Sequence, residues 1–213
     1  MLVKTYGASV FGIDATTITI EVNLSQGINF FLVGLPDSAV KESQQRIKAA
    51  FNNNNFKYPG KEITINMAPA DIRKEGSVFD LPIAIGILAA SEQLKTNKLE
   101  EYVILGELSL DGELNAMKGV LPIALNAKKE GFRGLIIPKE NAKEAAMVEG
   151  LEVIPVDNLQ DVVEFINEEK FIEPMEIDVN KIFEYSQVSL GVDFKDVKGQ
   201  MAIKRAFEIA AAG

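Results

Sequence analysis

The 213-residue chain is 47% hydrophobic and carries a net charge of −9, enough apolar content for one buried domain with an appendage. It has no cysteine and no histidine, which rules out disulfide frameworks, Ser-His-Asp triads and His-based zinc sites, and leaves Ser or Thr with Lys, carboxylates with a divalent ion, or bound cofactors. The acidic balance opposes strong nucleic-acid binding by these residues alone.

Residues 4–11 and 16–24 read as two strands joined by a turn at Gly12 and Asp14. In the second, Ile18, Ile20, Val22 and Leu24 alternate with polar residues, so one face is buried. Residues 29–33 form a third strand, broken by Gly34-Leu35-Pro36. Asp37 or Ser38 then caps a helix to about 51, which buries Val40, Ile47, Ala50 and Phe51. A fourth strand at 63–67 precedes a helix at 80–90 whose body is apolar on every side, so other elements must surround it.

Strands at 103–109 and 113–117 flank Asp111-Gly112, a strong hairpin signal. A helix at 119–129, a strand at 135–137, a helix at 140–148, a strand at 152–156 and a helix at 159–167 complete the domain. Residues 168–192 lose periodicity, are acidic and read as a linker, mobile or folded back on the domain, with Ile182, Phe183 and Tyr185 as docking anchors. Residues 193–213 end in an alanine-rich helix. The expected organisation is therefore 1–167, 168–192 and 193–213. Apolar runs are short and interrupted by charge, the N-terminus lacks a signal-peptide pattern, and a cytoplasmic location without membrane contact is expected.

Three segments carry a resemblance. One runs from Asn66-Met-Ala-Pro-Ala-Asp-Ile-Arg-Lys-Glu-Gly-Ser to the buried helix. Another is Leu105-Gly-Glu-Leu-Ser-Leu-Asp-Gly-Glu-Leu with the helix after it. The third is Gly34-Leu-Pro-Asp-Ser-Ala-Val-Lys-Glu-Ser. Together they resemble the N-terminal, Lon-protease-like domain of Mg-chelatase-like AAA+ ATPases of the ComM/YifB type. The resemblance implies a two-layer α/β fold of the ribosomal-protein-S5-domain-2 type, with a left-handed βαβ crossover. Val192 to Gly213, with its Val-x-Gly-Gln turn, resembles the opening of an AAA+ module. It implies Val197, Gly199 and Gln200 as part of an adenine pocket. No Gly-x-x-x-x-Gly-Lys-Ser/Thr occurs, so no loop cradles a triphosphate. No cofactor is expected on these residues, and ATP with Mg²⁺ is expected on the full-length protein.

Lon proteases use a Ser-Lys dyad. Alignment on Lys74-Glu75-Gly76 puts Val78 at the nucleophile position, and alignment on Gly112-Glu113-Leu114 and Gly131 puts Leu121 at the lysine position. Valine has no nucleophile and leucine takes no proton. A shifted register would offer Ser77 and Lys118 instead. One residue of shift at a helix start turns a side chain by about 100°, so the inactive reading is preferred, with Ser77 as a cap or turn hydroxyl.

Asp71, Glu75 and Asp80 are close enough in sequence to hold Mg²⁺. The preferred alternative makes Asp80 the cap of the buried helix, with Asp71 and Glu75 paired to Arg73 and Lys74. Arg73, Lys74 and Lys118 are candidates for contacting DNA, or else solvated surface charge. Three functions compete. The preferred one is a non-proteolytic assembly and substrate-handling domain of a hexameric AAA+ ATPase acting on DNA in branch migration or recombination. The others are a Lon-type peptidase and a Mg-chelatase-type motor for metal insertion. The isolated 213 residues are expected to be monomeric or weakly associated.

Overall fold

A computed structural model describes residues 2–178 and 194–212, in two units, Met1–Ile177 and Asp178–Gly213. In the first, β1 (Leu2–Phe11), β2 (Asp14–Ser25) and β3 (Phe30–Val33) lead into α1 (Ser38–Asn53) and β4 (Glu62–Ala68). A 3₁₀ turn, Ser77–Phe79, runs into α2 (Asp80–Ala90). Then follow β5 (Tyr102–Ile104), β6 (Glu107–Leu108), β7 (Leu114–Asn115), α3 (Val120–Glu130), β8 (Gly134–Pro138), α4 (Lys139–Ala145), β9 (Glu152–Val156) and α5 (Leu159–Ile166). Seven strands form one sheet in the order β3-β4-β2-β1-β5-β8-β9. Only the β1–β2 and β2–β4 pairings are antiparallel, so β2 alone runs against the rest.

The expected hairpin at Asp111-Gly112 exists, but its strands are not continuous with the sheet. β5 belongs to the main sheet, whereas β6 and β7 pair with each other as a separate ribbon. Gly106 between them donates its N–H to Val78 O at 2.9 Å and accepts from Leu81 N at 3.1 Å. Those two bonds tie the chain to the head of α2 and end β5 after three residues.

The two-layer expectation holds over only half of the sheet. Successive residues of a strand face opposite ways, and Val103 and Leu135 lie in one core while Tyr102, Ile104 and Ile136 lie in another. The first core is closed by α3 and α4, the second by α1, α2 and α5. Helices therefore cover both faces around β5, β8 and β9, giving three layers there. The runs Tyr102-Val-Ile-Leu and Leu135-Ile-Ile are apolar at every position because parallel strands of this kind are buried on both sides. On the β3 side one face stays open, with Phe31 and Val33 about half exposed.

All eleven residues of α2 are buried. Close packing sets its composition: a Cβ on Gly86 would lie 2.6 Å from Val22 Cγ2. Asp37, rather than Ser38, caps α1, accepting from Val40 N at 2.8 Å through one oxygen and from Gly76 N at 3.1 Å through the other. That second bond fixes the loop leading to α2.

The first unit extends to Ile177, past the expected boundary at 167. Ile172 packs on one core, Met175 on the other, and Met175 N donates to Val153 O at 2.8 Å along the outer edge of β9. The remainder of the expected linker, residues 179–192 with Ile182, Phe183 and Tyr185, lies outside the described residues, as does residue 193. In the second unit a 3₁₀ turn, Phe194–Asp196, precedes α6 (Met201–Ala212), which has no buried residue. Phe194 and Phe207 stack with centroids 6.0 Å apart. Among the described residues no helix is long and apolar enough to cross a membrane.

Gly34 and Gly12 give a paired test. Both have positive φ, +104° and +65°, but a Cβ at Gly34 would meet Met67 O at 2.0 Å while one at Gly12 meets nothing within 4 Å. Gly34→Ala is expected to cost about 3 kcal/mol or more of unfolding free energy. Gly12→Ala should cost about 1 kcal/mol. Urea denaturation of both variants reads the difference, and equal losses would contradict the close approach.

Candidate functional site

The last residues of β1, the loop after β4 and the starts of α2 and α3 meet at one end of the sheet. They enclose a cleft of about 620 Å³. Its lining is apolar at Val10, Ile72, Val78, Met117 and Ile123, with Phe11 as a wall. Asp71, Arg73, Glu75 and Lys118 supply its charges. A cleft at the carboxyl ends of parallel strands is where ligands bind in open α/β sheets.

Of the two dyad positions, Val78 lines this cleft and Leu121 does not. Val78 is half-buried and touches both cores, and Leu121 is half-buried against the α3–α4 core. The alternative pair is not assembled. Ser77 Oγ donates to a carboxylate oxygen of Glu107, whose other oxygen accepts from Asn115 Nδ2 at 3.1 Å. Ser77 is thus a side-chain partner of Glu107, neither a helix cap nor a free nucleophile. Lys118 is exposed and lines the cleft without a side-chain partner among the described residues. Ser9 also lines the cleft, but no hydrogen bond joins it to Lys118 among the described residues.

The carboxylate group dissolves in the structure. Asp80 is 1% exposed and does not line the cleft, where Asp71 and Glu75 sit. Its carboxylate takes a two-pronged contact from Arg46, Nε to Oδ2 at 2.6 Å and Nη2 to Oδ1 at 2.9 Å, and accepts from Leu108 N at 3.3 Å. Asp80 is therefore not the cap of α2; that position is Phe79, with no side-chain bond. Arg73 pairs with Glu75 at 3.1 Å as expected, but Lys74 forms no ion pair among the described residues. No group of three metal-binding side chains exists among the described residues.

Lys74 must also leave the set of DNA contacts. It is fully buried, and its ammonium donates to Pro69 O within its own loop. Desolvation holds its pKa below the ordinary lysine value, with the Asp71 charge opposing. The loop wraps the side chain because Lys74 N and O both bond the Leu35–Asp37 segment, at 3.2 and 3.0 Å. Arg73 and Lys118 remain exposed. In the second unit, Val197 is partly exposed, Gly199 and Gln200 have φ of +74° and +56°, and Lys204 N donates to Gln200 O at 3.0 Å. These three residues make a turn before a helix.

Two residues of consequence were not legible in the sequence. Arg46 lies 34 positions from Asp80, and nothing local marks its partner. Phe11 reads as a strand residue; the available signal was an apolar Phe-Gly-Ile at a turn where polar residues are usual.

These features define a mostly parallel α/β domain with an apolar cleft in which the described residues assemble no nucleophile–base pair. Residues 20–141 match the family model described as subunit ChlI of Mg-chelatase. The chain is 47% identical over 210 residues to competence protein ComM of Haemophilus influenzae, covering 98% of this chain and 41% of that protein. It is 42% identical over 208 residues to the uncharacterised protein YifB of Escherichia coli, covering 96% and 40%. An archaeal Lon protease of Methanocaldococcus jannaschii is 25% identical over 176 residues, 76% of this chain and 27% of that protein. The chain belongs to the Mg-chelatase-like family of the ComM/YifB type, and spans about two fifths of the length of those ComM and YifB relatives.

The Asp80–Arg46 pair predicts a pH dependence. Burial pushes the Asp80 carboxyl from 3.8 up to about 6, against the pull of Arg46 and the Leu108 amide. The folded state therefore holds this proton more tightly than the unfolded one. The resulting stability is complete below about pH 4 and is lost as pH rises through about 6. Above that range the carboxylate depends on its guanidinium. Arg46→Met is expected to cost about 3–5 kcal/mol at pH 7.5, and clearly less at pH 4.5, where Asp80 is protonated in the fold. Chemical denaturation at the two pH values checks this; a loss independent of pH would contradict it.

Proposed function

We propose that this chain is a non-proteolytic N-terminal domain of a hexameric, cytoplasmic AAA+ ATPase that acts on DNA, with the fold of the ribosomal-protein-S5-domain-2 type. One observation supports the non-proteolytic part: Ser77, the serine next to Val78 at the aligned nucleophile position, is held by Glu107, while Leu121 stands at the aligned lysine position. The DNA part rests on the resemblance to ComM-type ATPases, of which a protein named for competence is 47% identical over nearly the whole chain. ATP and Mg²⁺ belong to the complete protein in this reading. Val197, Gly199 and Gln200 would supply the adenine side and no phosphate contact.

The name of the matching family model favours a second reading, a Mg-chelatase-type motor. ATP hydrolysis by the full-length protein separates the two. Stimulation by DNA and indifference to a porphyrin is the expected outcome, and the reverse would install the second reading.

A fluorophosphonate serine probe tests the peptidase question directly. Neither Ser77 nor Ser9 should be labelled, and casein should remain uncleaved. Labelling of either serine that disappears in Lys118→Ala would overturn the inactive assignment.

A further inference from the structure

The β1–β2 hairpin ends in Phe11-Gly12-Ile13, and both apolar side chains stand in solvent, Phe11 91% and Ile13 88% exposed. The turn has no need of either. Gly12 supplies the positive φ, and polar residues usually fill such positions because nothing packs on them. Phe11 is also a wall of the cleft, so tip and cleft form one apolar surface at the end of the sheet.

The floor of that surface is fixed. Asn141, 6% exposed, uses both ends of its amide on the backbone of Met117: Met117 N donates to Oδ1 at 2.9 Å and Nδ2 donates to Met117 O at 2.8 Å. The thioether above it adapts while its backbone does not. A volume of about 620 Å³ admits one or two amino-acid side chains.

Charge selects the ligand. Arg73 is neutralised by Glu75 at 3.1 Å. Lys118 and Asp71 each lack a side-chain hydrogen bond or ion pair among the described residues. The cleft thus presents two cations and two carboxylates, which sum to zero. A polyanion needs a net positive track, and a stack on Phe11 alone does not provide one. A polypeptide with an apolar anchor and flanking charges of both signs matches every feature.

We infer that the cleft and hairpin tip bind an extended polypeptide segment, seating an apolar side chain beside Phe11 and Met117, with an acidic neighbour toward Lys118 and a basic one toward Asp71. This goes beyond the DNA reading and stands or falls separately from it, since the test uses neither ATP nor DNA-stimulated turnover.

The probe is a fluorescein-labelled peptide, Glu-Ala-Leu-Phe-Ala-Lys, titrated with the protein by anisotropy. A labelled 20-nucleotide single strand is run in parallel. Saturable peptide binding is expected. The double variant Phe11→Ser, Ile13→Ser should weaken it about tenfold, and Lys118→Glu about threefold. All three positions are exposed, so circular dichroism and Tm should match the parent. Absence of saturation up to about 1 mM, or unchanged affinity in the double variant, would overturn the inference. So would a single strand that displaces the peptide and is itself lost on Phe11→Ser, Ile13→Ser, which would assign the surface to nucleic acid.

Discussion

The contact between Arg46 and Asp80 joins three elements, α1, α2 and β6, at one buried carboxylate. Asp80 opens the wholly buried α2, Arg46 projects from α1, and Leu108 N brings β6 to the same carboxylate. Arg46 also donates to Ala39 O at 2.8 Å, so the guanidinium spans the first turns of its own helix. A carboxylate 1% exposed cannot stay charged without such partners. Its position fixes where α2 begins, and Val78, two residues earlier, is placed in the cleft as a consequence. Ser77, one residue further back, reaches Glu107 in β6, the strand whose Leu108 amide meets Asp80. The geometry at the mouth of the cleft is thus set from behind by a pair that touches no ligand.

Local pattern made most of the elements legible. Alternation gave β2, the apolar body gave α2 at 80–90, and Asp-Gly gave the β6–β7 turn, because each signal is complete within a few residues. The third layer was not legible: continuous apolar runs such as Leu135-Ile-Ile say that both faces are buried without saying by what. Resemblance supplied the two-layer expectation, and long-range packing of α3 and α4 added to it. Lys74 shows the same limit for the site. A lysine between arginine and glutamate reads as surface charge, yet backbone bonds to Leu35 and Asp37 turn the loop inward and close over its side chain.

Burial of Lys74 and pairing of Arg73 both lower the positive charge that the cleft presents. Three cations were expected at its mouth, and one of them, Lys74, is inside. A second, Arg73, is matched by Glu75. What remains in the lining is a single lysine, Lys118, and a single aspartate, Asp71, among apolar side chains. A surface like this gains affinity from shape and apolar burial, and uses charge to orient rather than to attract. Nucleic acid, in contrast, is held by many phosphate contacts whose strength grows with net positive charge.

The apolar side chain of Val78 in the cleft lining is consistent with that balance. A peptidase must expose its serine beside its base, which demands polar groups at the floor of the cleft. With Val78 at that place and Ser77 drawn to Glu107, the floor is apolar and the hydroxyl is occupied. Such a floor seats an apolar side chain well, because no buried polar group is left unpaired against an apolar occupant. Phe11 and Ile13 extend the same apolar surface outward from that floor. An apolar seat rimmed by charges of both signs is therefore what this arrangement of side chains supplies.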